Sequence, residues 1–219
     1  MNKKTNLGFI VILVLLFCKS ELYGQTYGEN GETINKCCQY SQSNHKGELY
    51  LHIAMPLINS FRIVPEDEGT KINTGFTGIT YGLDYYHSKN QFVHFDGSTA
   101  VTAQFRNAEY GQLSSTYINL SNNHKIKRFS IGYGFSYAFD NSWAYAKWSV
   151  WNFYGPIDMI SKSHKAFGLI FPIYFHVEKS FYIGIVYRPT FSNKFAYEHL
   201  ISIDCAWKIE LGNIYGKSK

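Results

Sequence analysis

Along most of the chain, hydrophobic and polar side chains alternate with a period of two. In FSIGYGFSYAF (129–139), large apolar side chains fall on one face, and small or polar ones fall on the other. The stretch HLISIDCAWKIEL (199–211) alternates in the same way, with an apolar face opposite Asp204, Lys208 and Glu210. A period of two indicates β-strands, and segments of about ten residues are long enough for tilted strands to cross a bilayer.

The two faces differ in size as well as in polarity. One face is aromatic and aliphatic, whereas the other carries Gly, Ser, Ala, Thr and scattered charges. A soluble β-protein turns its bulky face towards the core. The small, partly charged face is too polar for such a core, but it suits the interior of a narrow barrel whose apolar face contacts lipid. The pattern therefore predicts an all-β, antiparallel, up-and-down transmembrane β-barrel with the charges in its lumen.

Counting back from the C-terminus gives eight strands. They are predicted near 198–211, 180–191, 164–177, 142–152, 126–139, 91–105, 74–87 and 48–62. Pro56 predicts a bulge or break in the first strand, because proline donates no hydrogen bond to a sheet. The stretch QLSSTYINL (112–120) is interpreted as an extension of an outer hairpin, and counting it as wall gives a ten-stranded alternative.

The connections alternate between tight and long, as in barrels with short periplasmic turns and longer outer loops. HSKN (87–90), DNS (140–142) and EKS (178–180) are predicted to be the tight turns. The longer links span 64–73, about 106–125 and 154–165, with a shorter one near 192–196. An even number of strands places both termini in the periplasm.

The N-terminus is predicted to be a targeting segment. Lys3 and Lys4 precede an apolar run (9–17) that is too short to span a bilayer, which indicates a signal peptide over residues 1–24. A lipoprotein signal ending before Cys18 is the alternative. The predicted organisation continues with a flexible periplasmic leader (25–46), the barrel (47–212) and a C-terminal tail (213–219).

Composition excludes several other classes. Aromatic residues make up 18% of the chain and charged residues 17%, and the mean hydropathy of -0.21 argues against a bundle of membrane helices. The net charge of +5 comes without a Lys/Arg cluster, so nucleic acid is not an expected partner. Apart from Cys18, the cysteines are Cys37, Cys38 and Cys205, and their spacing does not suggest zinc. The sequence therefore predicts neither a metal site nor a cofactor.

The signal peptide, the eight amphipathic strands and the final strand IDCAWKIEL (203–211) together resemble the small outer-membrane β-barrel proteins of diderm bacteria, the OmpA-like group. The similarity covers roughly residues 48–212 and lies in the pattern rather than in a diagnostic motif. It implies residence in the outer membrane, contact with membrane lipid and lipopolysaccharide, and insertion by the barrel-assembly machinery. It implies no particular activity or surface ligand.

The inward-facing positions define the first set of candidate functional residues. An eight-stranded barrel has an interior just wide enough for its own side chains, and buried charges require partners. The polar residues are therefore interpreted as a paired network that plugs the lumen, with a narrow pore as an alternative. The predicted network is His52, Asp84, His94, Asp96, His176, Arg188, Asp204, Lys208 and Glu210, and Arg62 and Lys147 are also predicted to face inward.

An enzymatic alternative depends on SNNHKIK (121–127). Small outer-membrane barrels include lipid A deacylases and acyltransferases, which use a serine and a histidine near the outer rim. Such catalysis needs a hydroxyl activated by an imidazole that a carboxylate orients. Ser121 and His124 are the candidates for that pair, with Glu109 or Asp158 as the orienting acid.

A third possibility is binding through the outer loops, which mix aromatic and basic residues. A polar turn explains SNNHK without catalysis, and basic residues at the rim can contact anionic lipopolysaccharide. The sequence thus favours a structural or surface-binding barrel over an enzyme. The candidate surface residues are Tyr110, Tyr117, Lys125, Lys127, Lys162 and Lys165.

Overall fold

The computed structural model describes residues 46–65, 69–106, 109–147, 158–178, 180–192 and 195–214. Within these ranges, the side chains of 103–106, 109–110, 146–147 and 158–159 are not described. The predicted signal peptide, nearly all of the predicted leader and most of the predicted tail lie outside the described residues. The chain divides into two compact units, 1–42 and 43–219, and the barrel lies in the second.

The described chain folds into nine antiparallel strands, and none of its segments is a helix long and apolar enough to cross a membrane. The strands are β1 (Glu48–Ile63), β2 (Lys71–Gly75), β3 (Gly78–Ser88), β4 (Gln91–Arg106), β5 (Glu109–Ile126), β6 (Phe129–Lys147), β7 (Asp158–Glu178), β8 (Phe181–Ser192) and β9 (Tyr197–Asn213).

The sheet closes into a ring because β1 pairs with β9 along nearly its whole length. On its other edge, β1 pairs with β2 through Asn59–Ile63 and with β3 through Leu49–Ala54. β2 and β3 therefore lie end to end in one position of the wall. Nine strands thus fill eight positions, which confirms the predicted up-and-down barrel and gives the predicted number around the ring.

The barrel has two distinct ends. The turn end carries the connections at 89–90, 127–128 and 179–180, together with both ends of the barrel chain. There the backbone N–H of Ile214 donates to the carbonyl of Gly47 at 2.9 Å. The loop end carries the connections through 64–70, 107–108, 148–157 and 193–196.

Pro56 marks a change of face within β1. The register against β9 shifts between Pro56 and Ile58, which confirms the predicted bulge. Even-numbered residues face the lumen before the bulge, and odd-numbered ones such as Phe61 face it afterwards. Arg62 was therefore wrongly predicted to face inward: it lies on the outer surface, with its guanidinium carbon 5.6 Å from the ring centroid of Tyr197.

The structure corrects the predicted connections between β4 and β7. Residues 112–120 belong to the full-length wall strand β5, and the predicted strands 126–139 and 142–152 correspond largely to the single strand β6. The DNS stretch is not a turn but part of a bulge in β6, where the register with β7 shifts between Ala138 and Asn141. The turn lies instead at Lys127–Arg128, where Lys127 adopts a left-handed φ of 56°. Because that turn lacks the usual Gly, Asn or Asp, sequence signals missed it.

The two faces of the wall match the predicted sense of alternation. In β9, Ile201, Trp207 and Ile209 are exposed on the outside of the ring, whereas Asp204 and Lys208 are buried inside. β6 presents an outer row of exposed apolar side chains, including Phe129, Ile131, Tyr133, Phe135 and Tyr137. An exposed apolar surface of this extent indicates contact with a non-aqueous environment or a partner.

Candidate functional site

A charged cluster occupies the part of the lumen nearest the turn end. Asp84 from β3, His94 and Asp96 from β4 and Lys208 from β9 all occupy even positions that face inward. The Asp84 carboxylate contacts both Nδ1 of His94 and Nζ of Lys208. His94 Nε2 lies 2.9 Å from Asp96 Oδ2. Since both ring nitrogens of His94 face carboxylate oxygens, the arrangement suits a doubly protonated imidazolium between two acids.

Asp96 continues the network across the neighbouring strands. Nδ2 of Asn119 donates to Asp96 Oδ1 at 2.7 Å, and Oγ of Ser136 donates to Asn119 Oδ1 at 2.7 Å. These residues face each other across β4, β5 and β6. The chain of hydrogen bonds therefore satisfies the carboxylate without exposing it to water, which offsets part of the cost of burying its charge.

A second polar group lies on the β8–β9 side of the lumen. Tyr174 donates its hydroxyl to Asp204 Oδ2 at 3.3 Å. Arg188 lies 3.5 Å from Ser202 Oγ and 5.5 Å from the ring centroid of Tyr117. Ser202 in turn donates to Asn59 Oδ1 at 2.8 Å. All these side chains are buried, so Arg188 and Asp204 contribute charges of opposite sign to the same closed interior.

His52 lies beside the charged cluster. It is buried, and its ring centroid lies 4.6 Å from that of His94 and 5.5 Å from that of Tyr174. Neither ring nitrogen of His52 has a hydrogen-bond partner among the described residues. Leaving a buried polar atom unsatisfied costs about 1–3 kcal/mol, so this imidazole requires an explanation.

A separate carboxylate site lies towards the loop end. Glu198 is almost fully buried and accepts a hydrogen bond from the backbone N–H of Val64 at 2.7 Å. Its other oxygen accepts from Asn141 Nδ2 at 2.8 Å, and His164 Nε2 lies 2.7 Å from the first. Through these contacts, Glu198 of β9 links β6, β7 and the residue that follows β1. Glu198 is not among the residues predicted from the sequence, although its even position in β9 predicts that it faces inward.

Apolar layers flank the polar interior. Tyr50, Tyr86 and Phe92 form a cluster at the turn end, with the Tyr86 and Phe92 ring centroids 4.8 Å apart. Lys208 extends over this layer, and its Nζ lies 4.1 Å from the Phe92 ring centroid. Towards the loop end lies a larger cluster of buried side chains, with Trp143 packed against it: Phe61, Ile63, Ala100, Leu113, Tyr117, Ala138, Ala166 and Leu200.

Of the other residues that were predicted to face inward, one is buried in the lumen and one is exposed. His176 is buried inside, stacked on Tyr182 with ring centroids 4.3 Å apart. Glu210 lies at the exposed end of β9, so the structure does not bring it into the buried cluster. The side chain of Lys147 is outside the described part of the molecule.

The proposed catalytic pair is not brought together. Ser121 faces the lumen and accepts a hydrogen bond from Asn123 Nδ2 at 2.9 Å, whereas His124 lies on the outer face, stacked near Tyr133. Both residues lie near the turn end, and the backbone of Glu109 begins the same strand at the loop end. Twelve residues of strand separate Glu109 from Ser121, on the order of 40 Å. An outer groove of about 380 Å³ beside Gly134 is lined mainly by apolar side chains, and His124 is not among its lining residues.

The predicted surface residues also divide between the two ends. Lys125 and Lys127 lie at the turn end, and Tyr117 is buried in the lumen, so none of these three belongs to a loop-end surface. Lys162 and Lys165 lie in β7 towards the loop end. The side chain of Tyr110 is outside the described residues.

Comparison with known proteins is informative at the level of fold. No family model matches the chain, and no curated protein matches it in sequence. The solved structures of Ail, the attachment invasion locus protein of Yersinia pestis, match with a TM-score of 0.50 at 13% identity, covering 75% of this chain and 99% of Ail. A second Ail structure, in complex with the heparin analogue sucrose octasulfate, matches at 0.50 and 14% identity over the same shares. Neisserial surface protein A matches at 0.45 and 8% identity, covering 74% of this chain and 97% of that one.

The closed eight-position ring, the inward charges and the likeness to Ail together define the class. The fold is that of the small outer-membrane β-barrels, the OmpA-like architecture that the sequence pattern resembles.

Proposed function

We propose that the chain is an integral outer-membrane barrel with a structural or surface-binding role and a lumen closed by its own side chains. The observation that carries this proposal is the reversal of faces: the exposed outer surface is apolar, and the buried interior holds the ions. Such a reversal is stable when hydrocarbon surrounds the ring, because the described inward charges contact polar or aromatic side chains and the pairing of β1 with β9 closes the sheet.

Membrane insertion is tested by fractionation and by gel mobility. The protein is expected to sediment with outer membranes and to migrate faster in gels when it is not boiled, since a closed barrel resists detergent unfolding. Recovery of the folded chain as a soluble periplasmic protein contradicts the proposal.

Closure of the lumen is tested by conductance in planar bilayers. In this proposal the lumen contains two apolar layers with an ion-paired layer between them, and no continuous water path crosses it. The protein is therefore expected to give no unitary current steps. A double variant that shortens only the layer at the turn end, Tyr86→Ala with Phe92→Ala, is also expected to give no current, because the ion-paired layer and the apolar layer towards the loop end remain. Steady unitary currents from the unaltered protein favour the narrow pore instead.

A surface-binding role is supported by the basic and aromatic side chains at the mouth of the loop end. Nζ of Lys71 lies 4.1 Å from the ring centroid of Trp143, and Trp143 pairs across the sheet with Lys162. The two lysines add positive charge at this mouth, which attracts anionic partners. The anionic groups of lipopolysaccharide are the expected partner, and the Ail complex with a sulfated sugar shows that one barrel of this architecture binds a polyanion.

The polyanion hypothesis is tested by binding of the detergent-purified chain to immobilised heparin and to lipopolysaccharide. Lys71→Gln combined with Lys162→Gln is expected to weaken both interactions several-fold. Lys125→Gln combined with Lys127→Gln removes the same charge at the turn end and is the matched control. Equal weakening by both pairs indicates a net-charge effect and contradicts a loop-end site.

Lipid modification is not supported by the placement of its candidate residues. Ser121 and His124 occupy opposite faces of β5, so the imidazole cannot take the proton of that hydroxyl. Ser121→Ala and His124→Ala are expected to leave host lipid A unchanged by mass spectrometry. An acyl chain lost or gained in dependence on His124 favours the enzyme.

A further inference from the structure

We propose that His52, His94 and Asp84 form a site for a transition-metal ion of the zinc type inside the barrel. Their ligand atoms lie within 4.8 Å of one another, and all three side chains are buried. They come from three neighbouring strands, β1, β3 and β4, so they converge from one side of the lumen. A set of two imidazoles and one carboxylate is a recognised zinc donor set that leaves a fourth position for water.

The unsatisfied ring of His52 is the independent observation that points to a ligand. Both of its ring nitrogens lack hydrogen-bond partners among the described residues, so the whole polar edge of this buried ring is unsatisfied. A neutral imidazole with one free lone pair is the form that binds a metal ion. The tetrahedral geometry of zinc requires donor atoms roughly 3.3 Å apart, so modest side-chain rotation brings the three together.

His94 is already oriented as a metal ligand. Its Nε2 lies 2.9 Å from Asp96 Oδ2, so Nδ1 is directed towards Asp84 Oδ1. A carboxylate behind the second ring nitrogen is the usual arrangement at metal-bound histidines, because it fixes the ring and raises its basicity. Asn119 holds Asp96 in turn. Asp96 is thus a positioning residue rather than a ligand.

Lys208 occupies one oxygen of Asp84 and leaves the other for the metal ion. Its Nζ contacts Oδ2 of that carboxylate, while Oδ1 faces His94. The metal would occupy the place of the proton between Nδ1 of His94 and Oδ1 of Asp84, and that proton would pass to water. Binding is therefore an exchange of one proton for one dication with no redox step, and its affinity must fall in acid.

The test uses the full mature barrel, folded in detergent, with Zn²⁺ titrated by calorimetry and Co²⁺ followed by its visible absorption. We expect one Zn²⁺ per chain and a Co²⁺ spectrum typical of tetrahedral coordination. His52→Phe keeps an aromatic ring at this position but removes the donor, and it should lower the affinity at least 100-fold. Asp96→Asn should lower it about 10-fold to 100-fold.

His176→Phe is the matched control, because it replaces another buried lumen histidine that lies outside the cluster. It should leave the affinity unchanged, and the gel mobility of unboiled protein verifies that each variant is folded. Zn²⁺ should also raise the temperature at which the folded band is lost in the unaltered chain but not in His52→Phe. Failure of the unaltered protein to bind one Zn²⁺, or equal affinity in His52→Phe, overturns the proposal.

Discussion

Gly184 faces the lumen from β8, directly against the ring of Tyr174. A Cβ atom built at this position would overlap that ring, and the ring cannot retreat because its hydroxyl is bonded to Asp204. Overpacking of a closed interior typically costs about 1–3 kcal/mol. Glycine at this position therefore provides the space in which the aromatic and charged groups of the lumen fit.

Gly184→Ala is accordingly expected to lower the thermal stability of the folded barrel, measured as the temperature at which the compact gel band disappears. Gly97→Ala is the matched control, since a Cβ there would lie 3.5 Å from Tyr81, at ordinary contact distance on the outer surface. Equal loss in both variants means that the lumen is not tightly filled around Tyr174.

At the residue scale, the sequence predicts which face of the wall a side chain occupies, but not which other side chains it contacts. Alternation correctly placed Asp84, His94 and Lys208 inside, because the face of a residue depends only on its parity along an unbroken strand. Which inward residues touch depends on the height of each strand in the wall, and that height is set by register and bulges. The contact between Glu198 and His164 was not predictable for this reason, and Arg62 was misplaced by the bulge beyond Pro56.

At the scale of the strand, β9 is the clearest case in which the sequence alone predicted both surfaces. From Leu200 to Lys208, the outward side chains are apolar, and the inward side chains include the charged Asp204 and Lys208. β6 was less predictable, since its Asp140–Ser142 segment has turn-forming residues but remains within the strand as a bulge. Turn propensity and strand continuation competed there, and pairing with β5 and β7 decided the outcome.

The two faces of β9 give a direct test of orientation. Ile203→Arg places a charge on the outer face, where the cost near the centre of a bilayer is about 2–4 kcal/mol. Ala206→Ser adds a hydroxyl on the lumen face and is expected to have little effect. The measurement is the yield of compact, outer-membrane-inserted protein, and equal assembly of both variants contradicts the assigned faces.

At the scale of the whole molecule, ring closure brings the two ends of the barrel chain together. Eight positions in the wall mean an even number of crossings, and the bond between Ile214 and Gly47 joins the first and last strands at the turn end. Strand count alone therefore places both ends of the barrel chain on the same side of the wall. In the proposed outer-membrane orientation, that side is the periplasm, and the connections of the loop end lie outside.

Epitope tags test this topology in intact cells. A tag inserted within 148–157, the connection between β6 and β7, is expected to bind antibody on unbroken cells. A tag between Lys127 and Arg128, where two residues connect β5 to β6, is expected to bind only after the outer membrane is permeabilised. Gel mobility without boiling confirms that each tagged protein has closed its ring. Surface labelling at Lys127–Arg128 in a folded barrel would contradict this orientation and would place SNNHK on the outer side.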